Sequence, residues 1–489
     1  MQISQKRLKE ISDIANAWAV SNGVSFKADR EGPGNNEVLP TPYTLFPALV
    51  PAPIFEQARS SMTEFSRLVH KVANDHNFLT QCLEKVVEVD PFMNGLWNIY
   101  LKVREAGIKQ SLMLGVFRND FMMAVKENRK PGGIMKAEDL ELKHIEINVI
   151  SASFGGLVQQ LTKLHKLTLN LCGKKFNSEE MPGNKPANGI AKGLLKAWQL
   201  YNNPQSVIVF LVAAKENNSI DQRWIEFEIY KQNPGVRVLR RTFADFRERG
   251  SLSCGSHLLI DDQEVAVVYM RDGETAENYT SEKEWNGRLI IELSAAIKSP
   301  CVQYQLVGSK KVQQELARPG VLEKFVPSKE SVEILKATFA DQFSVDLGPE
   351  GDKAVEMALA SPEKFVLKPQ REGGGHNLFD TEMATFLSHH ISSKERNAYI
   401  LMQRIYPWQQ QNYLVKSASP FNLSEVVSEL GIYGIYLGSC TADEFENYEC
   451  GHLMKTKTSG TNNSGVVAGL AGLDTAFIYD PFICESNNL

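Results

Sequence analysis

The sequence predicts a mixed α/β protein with a helical N-terminal region and an inserted, doubly wound α/β subdomain. Three observations predict this class: helical periodicity dominates residues 1–110, strands alternate with helices from 207 to 308, and two glycine-rich loops follow residue 309. A chain of 489 residues is long enough for two or three domains. We therefore divide it into an N-terminal helical region with part of the core (1–206), the inserted subdomain (207–308) and a region with the glycine-rich loop and a lid (309–489).

The composition argues against several classes of protein. Apolar residues make up 43% and charged residues 23% of the chain, which is ordinary for a soluble globular protein. The 53 basic and 58 acidic residues leave a net charge of −5, so the chain as a whole is not drawn to nucleic acid or to an anionic membrane. No apolar run approaches the roughly 18 residues of a membrane-spanning helix.

Cysteine usage and the N-terminus predict a cytoplasmic location. Seven cysteines are scattered from Cys82 to Cys484 without a CxxC pair, which fits a reducing compartment. Residues 1–20 form an amphipathic helix pattern with charges throughout and lack the apolar core of a secretory signal. Secretion remains the alternative if an N-terminal signal sequence was removed.

The N-terminal part contains one strong helix pattern and two strand patterns. Apolar residues recur at helical spacing in "FEQARSSMTEFSRLVHKV" (55–72), and the proline-rich stretch before it predicts an extended connector along the surface. "SLMLGVF" predicts a strand that Arg118 follows. "HIEINVISASFGG" (144–156) alternates as a second strand.

The middle of the chain is predicted to form a strand, a helix, a second strand and a hairpin. "SVIVFLVAA" (206–214) is a continuous apolar run of the buried parallel type. A helix is predicted from the polar "KENNSIDQR" through Tyr230, and "VRVLRRTF" is the next strand. "HLLIDDQEVAVVYMRDG" (257–273) predicts a hairpin with "DDQE" as its turn.

The stretch "KFVLKPQREGGGHNLF" (364–379) predicts a phosphate-binding loop. It matches neither the P-loop nor the dinucleotide-binding glycine pattern. Three consecutive glycines nevertheless allow backbone amides to approach phosphate oxygens, and Lys368 supplies a positive charge at the end of a strand. Glu372 is a suitable ligand for Mg²⁺. A glycine loop with solvated charges remains the alternative.

A second glycine-rich loop, "SGTNNSGVVAGLAG", follows a strand that carries Lys455 and Lys457. Residues two apart in a strand face the same way, so both ammonium groups point together. A basic edge strand would give the same pattern. Two glycine loops with strand-borne lysines favour a nucleotide held between two flaps.

Two further strands fit a nucleotide and its metal. Glu146 and Asn148 share one face of their strand, and their oxygens suit Mg²⁺, with Glu372 as a third ligand. "AYILMQRI" predicts a strand whose backbone could pair with adenine while Met402 packs on the ring. The alternative for the strand with Glu146 and Asn148 is an ordinary half-buried strand. The alternative for "AYILMQRI" is a strand of the core.

A polar cluster predicts a substrate site in the inserted subdomain. Glu216, Asn217, Asn218 and Gln222 follow the apolar strand, and Arg271 follows a second strand. In doubly wound sheets ligands bind beyond the carboxyl ends of the strands. Carboxylate, amide and guanidinium groups at this edge would suit a small zwitterion, although loop polarity alone produces similar clusters.

Several of these motifs together carry a family resemblance. "IEINVISASFGG", "YMRDG", "GSKKVQQELARPG", "FVLKPQREGGGHNLF", "SELGIYG" and "GHLMKTK…GVVAG", with the early "YTLFP", resemble eukaryotic glutathione synthetase in order over essentially the whole chain. The resemblance implies an ATP-grasp fold, circularly permuted relative to bacterial counterparts, and a homodimer. It implies a ligase that joins γ-glutamylcysteine to glycine: ATP phosphorylates the cysteine carboxylate, and the glycine amine displaces phosphate.

The resemblance also implies roles for individual residues. It assigns Mg²⁺, two ions in this family, to Glu146, Asn148 and Glu372, and catalytic contacts to Arg118, Lys310 and Lys368. ATP would be bound by Lys310, Lys368, Pro369, Gln370, Arg371, Glu372, Gly373, Gly374, Gly375, His376, Asn377, Leu378, Phe379, Met402, Gln403, Arg404, Ile405, Glu429, Lys457 and Asn463. The peptide and its acceptor would be bound by Arg118, Ser151, Ala152, Ser153, Glu216, Asn217, Asn218, Gln222, Arg271, Asp272, Gly273, Glu274, Lys455, Val466 and Val467.

Five positions depart from the family pattern. Lys455 stands in place of an arginine that grips a carboxylate, and lysine lacks the planar, two-pronged hydrogen bond. Asn463 replaces an aspartate, Val467 an alanine near the acceptor pocket, Glu274 a tyrosine, and Gln403 a glutamate on the adenine strand. We therefore predict retained ATP binding with glycine addition in doubt. The alternatives are a diverged paralogue that uses another amine or none, and a non-catalytic protein that binds a nucleotide or a thiol peptide.

Overall fold

The structure is a computed structural model that describes residues 3–28, 37–127, 129, 133–370, 376–416, 421–441, 443–461 and 465–480. Over these ranges the α-helices are α1 (Gln5–Ser21), α2 (Ala52–Ala73), α3 (His76–Val87), α4 (Pro91–Glu105), α5 (Gly155–Leu171), α6 (Pro186–Tyr201), α7 (Ser219–Gln232), α8 (Phe243–Arg249), α9 (Glu282–Leu293), α10 (Val302–Val307), α11 (Lys310–Leu316), α12 (Leu322–Phe325), α13 (Lys329–Lys336), α14 (Pro349–Ala360) and α15 (Asp380–His389). Within these ranges, no helix combines the length and the apolar character that crossing a bilayer would require.

The strands of the same ranges belong to five sheets. They are β1 (Ser25–Lys27), β2 (Val38–Pro40), β3 (Tyr43–Thr44), β4 (Ala48–Pro51), β5 (Leu112–Val125), β6 (Leu140–Asn148), β7 (Val207–Leu211), β8 (Val238–Arg241), β9 (Gly250–Leu252), β10 (Leu258–Ile260), β11 (Gln263–Met270), β12 (Ile297–Ser299), β13 (Gln342–Ser344), β14 (Phe365–Pro369), β15 (Leu378–Phe379), β16 (Tyr399–Gln403), β17 (Gln409–Val415), β18 (Leu423–Ser439), β19 (Glu444–Thr458), β20 (Ala471–Asp474) and β21 (Ala476–Tyr479).

A seven-stranded sheet forms the centre of the molecule, in the order β17-β3-β20-β19-β18-β5-β6. Helix α2 packs on one face, where a Cβ at Gly434 would lie 2.5 Å from the Cε of Met62. Helix α6 packs on the other face, where a Cβ at Gly193 would lie 2.7 Å from the Cγ2 of Ile435. Both contacts need glycine because the backbone and the opposing side chain approach too closely for any Cβ. The long strands are thereby held between helices.

The helix predicted at 55–72 is confirmed as the greater part of α2, and its periodic apolar residues are buried. The proline-rich connector before it is extended, as expected, but its predicted course along the surface is wrong. Tyr43, Leu45 and Val50 are fully buried. Strand β3 pairs with both β17 and β20, so this segment is an internal strand of the central sheet.

The strand predicted before Arg118 is much longer than expected. β5 continues to Val125, and Arg118 lies in its middle, opposite Tyr433 of β18 and Asn148 of β6. Polar residues continue the strand because Arg118 and Asp120 bond to each other inside the sheet. The apolar run alone therefore underestimated the length of the strand.

The predicted hairpin and parallel strands form the six-stranded sheet that contains β7 to β12. β7 is buried along its whole length and pairs in parallel with β8 and β11, as expected for a continuous apolar run. The hairpin β10–β11 turns at Asp261 and Asp262, which have φ values of 50° and 61°. Aspartate tolerates this left-handed conformation, so the turn is two residues shorter than the predicted "DDQE".

A four-stranded antiparallel sheet, in the order β13-β16-β14-β15, completes the architecture. Helices α14 and α15 contribute Val355 and Met383 to its small separate core. The strand predicted from "AYILMQRI" is confirmed as β16. This sheet faces the edge of the central sheet formed by β5 and β6, and the space between the two sheets is the first candidate site.

Candidate active site

A cavity of about 280 Å³ lies between the four-stranded and the seven-stranded sheets. One wall comes from β14 to β16 and the other from β5, β6, β18 and β19. Its lining consists of Met122, Ile145, Glu146, Val366, Lys368, Asn377, Phe379, Met402, Gln403, Arg404, Ile405, Tyr406, Pro407, Gln409, Val427, Glu429, Lys457, Ser459 and Thr461. The cavity is apolar at β16 and charged where Glu146, Lys368 and Lys457 meet, so its polarity matches a base at one end and phosphates at the other.

The cavity brings together many of the residues predicted to bind ATP, from four separate parts of the chain. Lys368, Asn377, Phe379, the stretch 402–405, Glu429 and Lys457 all line it. Lys310 and Gln370 line a smaller adjacent cavity instead. Arg371 to Gly375, with the predicted metal ligand Glu372, and Asn463 lie outside the described residues. The sequence analysis missed Met122, Val366 and Val427, whose only signal was their apolar character.

Glu146 is the charged centre of the phosphate end. Its Oε2 lies 2.8 Å from the Nζ of Lys310, the first residue of α11. The Nζ of Lys368 donates to the backbone oxygen of Ile145 at 3.3 Å. Burial alone would raise the pKa of Glu146, but Lys310 and Lys368 outweigh it and hold the pKa below its usual range. Burial also lowers the pKa of Lys368 to about 8.

A buried carboxylate that the sequence analysis missed organises the neighbouring strands. Asp120 accepts from Nε and Nη2 of Arg118 at 2.7 and 2.9 Å, and from the Nζ of Lys455 at 3.1 Å. The Nδ2 of Asn148 donates to it at 3.0 Å. Burial opposes the ionised form, yet Arg118 and Lys455 lower the pKa of Asp120. The available signal was the Arg-x-Asp spacing, which puts both side chains on one face of a strand.

Lys455 has two acidic partners. Besides Asp120, its Nζ lies 2.8 Å from the Oε2 of Glu429 on the neighbouring strand β18. Strand β19 lies between β18 and β20, so the edge-strand alternative for its two lysines does not hold. Of the predicted acceptor-side valines, Val466 is buried in the core and Val467 is exposed.

The predicted peptide-binding residues converge on the segment before α5. Nη1 of Arg118 donates to the backbone oxygen of Ser153 at 3.1 Å, and Nη2 of Arg271 donates to its Oγ at 2.9 Å. Nη2 of Arg271 also donates to Asp221 at 2.9 Å, and Asp221 accepts from backbone amides at the start of α5. Asp221, buried within α7, is a second residue that the sequence analysis missed.

Three side-chain atoms near the predicted peptide-binding residues are buried without a partner among the residues that the structure describes. They are Nε and Nη1 of Arg271 and Oδ1 of Asn218. An unpaired buried polar group carries a large desolvation cost, so each marks a place where a ligand can bond. Glu216 lies close by and accepts from Nε2 of Gln222 at 2.7 Å. The side chain of Ala152, by contrast, is in the core.

The side chains at the phosphate end of the cleft could supply part of a metal site. Glu146 is held ionised, and the Nδ2 of Asn148 is bonded to Asp120, which leaves its Oδ1 as an acceptor on the same face of β6. Oxygens of these types suit Mg²⁺. Within the described ranges no group of three or more His, Cys, Asp or Glu side chains is placed to hold a metal ion.

The two facing sheets, the lysines at one end of the cleft and the apolar strand at the other define a nucleotide-binding protein of the ATP-grasp type. The family model described as "Eukaryotic glutathione synthase, ATP binding domain" matches residues 5–478. The chain belongs to this family, and the predicted membership is confirmed.

Individual relatives agree with this assignment. The chain is 41% identical over 476 residues to the glutathione synthetase of Xenopus laevis, covering 97% of both chains. It is 41% identical over 474 residues to that of Homo sapiens, again with 97% of both chains covered. Among solved structures, a glutathione synthetase-like effector from Globodera pallida in its apo form matches with a TM-score of 0.78 at 21% identity, covering 98% of each chain, which supports the fold.

Proposed function

We propose that this protein is an ATP-dependent ligase that joins γ-glutamylcysteine to glycine through an acyl phosphate and so forms glutathione. The observation that carries the proposal is the cleft between the two sheets, whose lining combines Lys368 and Lys457 with the apolar side chains of Met402 and Ile405. Its membership of the glutathione synthase family supports the same reaction. Phosphoryl transfer is catalysed mainly by positioning and by electrostatic stabilisation, which buried cations supply.

The apolar end of the cleft would take the adenine. The backbone amides of Gln403 and Arg404 already donate to Asp341 and Lys364, each at 2.8 Å. Among the described residues the amide of Ile405 makes no such bond, so it is the donor we assign to the base. Met402 would pack against the ring.

The charged end would take the triphosphate. Lys368 and Lys310 would contact its oxygens, and Glu146 and Asn148 would hold Mg²⁺ together with Glu372. The family pattern suggests two ions. When bound, the metal neutralises charge on the phosphates. The proposed division of the chain at 207 and 309 puts these groups on the outer two regions. The peptide site is shared between the first region, which holds Arg118 and Ser153, and the inserted one, which holds Arg271 and Glu216.

The peptide would bind where Arg118 and Arg271 converge on Ser153. Two guanidinium groups suit the carboxylates of a dianionic peptide, and the unpaired Nε and Nη1 of Arg271 offer a two-pronged contact. Glu216, beside Asn218, is suited to the amine of the glutamyl group.

The first prediction concerns turnover. We expect release of phosphate from ATP to require both γ-glutamylcysteine and glycine, because the acyl phosphate forms on the peptide and is consumed by the amine. A coupled phosphate assay with glycine, and with a panel of other amines, measures this. Release with another amine but not with glycine would contradict the proposed acceptor, and Mg-ATP binding without any release would contradict the ligase reaction.

A second prediction concerns Lys455, which faces two carboxylates. Arginine has five donors in a rigid fork, so it can keep Asp120 and Glu429 and still bond a substrate carboxylate in two places. We therefore expect Lys455→Arg to lower the KM for glycine by about ten- to a hundredfold, the range of one charged hydrogen bond. The KM for ATP serves as the control and should not change. An unchanged KM for glycine would remove Lys455 from the acceptor site.

The assembly and location form part of the same proposal. Exposed apolar side chains on three elements, Val20 of α1, Leu39 of β2 and Phe227 of α7, support a homodimer interface. Sedimentation should then give about twice the chain mass of 54.7 kDa. The free cysteines Cys82, Cys172, Cys254, Cys301, Cys440 and Cys450 of the described ranges fit a cytoplasmic location.

A further inference from the structure

A second, much smaller cavity, separate from the nucleotide cleft, has Lys310 in its lining. Its volume is about 20 Å³, which is enough for one water-sized group. Phe92 and Met93 of α4 form an apolar wall. The polar lining comes from Glu274, which follows β11, from Gln305 of α10, from Ser309 and Lys310 at the start of α11, and from Gln370 after β14.

Three polar atoms of this cavity lack partners in the part of the chain that the structure describes. Oε2 of Glu274, Oε1 of Gln305 and Nε2 of Gln370 are buried with no hydrogen bond to any residue that the structure describes. The orientation of both amides follows from their other atoms: Nε2 of Gln305 donates to the oxygen of Gly273 at 2.7 Å, and Oε1 of Gln370 accepts from the amide of Lys311 at 2.9 Å. The cavity therefore offers two acceptors and one donor.

The charges around Glu274 make it repel an anion. Arg271 on the same loop is already paired with Asp221, and Lys310 is paired with Glu146. Burial raises the pKa of Glu274 to about 7, and the neighbouring carboxylates of Asp272 and Glu216 add to the rise. A ligand that brings a hydrogen-bond donor would satisfy both acceptors, whereas a carboxylate placed in the cavity would lie against the negative charge of Glu274.

We propose that this cavity is a specificity subsite, in which Glu274 and Gln305 accept hydrogen bonds from a compact donor on the peptide substrate and Glu274 discriminates against a carboxylate. The inference rests on the proposed function because it concerns the peptide site of that reaction. The favoured substrate class is a γ-glutamyl thiol peptide in which an uncharged amide or hydroxyl group stands in place of the glutamyl carboxylate, because the cysteine carboxylate must stay free to form the acyl phosphate.

The test compares γ-glutamylcysteine with its two monoamides, one at each carboxylate, by calorimetry on the full chain at pH 8. We expect one monoamide to bind about tenfold more tightly than the parent dianion, in the range of one charged hydrogen bond. Glu274→Gln keeps the shape but removes the charge, and the preference should then fall to about twofold or less. The matched control is Glu277→Gln, at an exposed carboxylate on the same loop, which should keep the wild-type ratio.

Wild-type protein at pH 6 provides a test without any variant. Glu274 is then mostly protonated, and Asp272, whose pKa burial raises to about 6, is partly protonated as well. Both changes remove negative charge beside the cavity, so the preference should shrink. The other charged groups around Glu274 are Glu216, Arg271 and Lys310. Tighter or equal binding of the parent peptide at pH 8 would overturn the inference and leave the proposed function intact, as would a preference that survives in Glu274→Gln. Failure of all three peptides to bind, with Mg-ATP still bound, would overturn both.

Discussion

Replacing Asp120 by asparagine is expected to lower the free energy of unfolding by about 3–5 kcal/mol, the range for breaking a buried ion pair. Asp120 is fully buried and is the shared partner of Arg118 and Lys455. Without its charge the two cations remain buried, and Arg118 loses its only carboxylate within hydrogen-bond distance among the described residues. Denaturant unfolding at pH 7 measures the change.

The pH dependence provides an internal control for this prediction. The pKa of Asp120 in the folded chain lies below the ordinary 3.8, so its contribution to stability is present above that value and is lost as the pH falls toward the lowered pKa. The difference in unfolding free energy between wild type and Asp120→Asn should therefore stay constant above about pH 5 and narrow below it. Glu127→Gln, at an exposed carboxylate just after β5, should change stability by less than about 0.5 kcal/mol. A difference of that small size for Asp120→Asn would show that the buried network contributes little to stability.

Replacing Lys368 by methionine is expected to lower kcat by about 10²–10³, the cost of removing one pre-organised group that stabilises charge in a transition state. Lys368 lies at the end of β14 in the nucleotide cleft, and its ammonium is buried close to Glu146. Methionine retains most of the side-chain volume, so the fold should survive. Steady-state kinetics with saturating peptide and glycine measure the effect, and calorimetry reports the accompanying loss of Mg-ATP affinity.

The matched control is Lys364→Met, four residues earlier and exposed, where the same chemical change should leave kcat within about twofold. Equal kinetics for Lys368→Met and the control would exclude Lys368 from phosphoryl transfer. The same result would also weaken the assignment of the cleft to ATP, since Lys368 carries the central positive charge at the phosphate end of the cleft.

The elements that depend on local pattern could be predicted from the sequence. Helical periodicity predicted α2, the continuous apolar run predicted the buried parallel strand β7, and the alternation around Glu146 predicted β6. The long motif around Lys368 predicted the family, because its combination of residue types in one short segment is highly specific. The surface course of the connector was wrong because the burial of Tyr43 depends on β17 and β20, which come hundreds of residues later.

By itself the sequence determined the fold class, the family and the identity of the charged groups that a nucleotide and a peptide would need. Only the tertiary structure decided which charges neutralise one another. Asp120 between Arg118 and Lys455, Asp221 beside Arg271, and Oε2 of Glu274, which has no partner among the described residues, all depend on contacts between segments that are far apart in the chain. The physical reason is that the free energy of a buried charge depends on the groups within a few ångströms of it, and strand pairing brings those groups together.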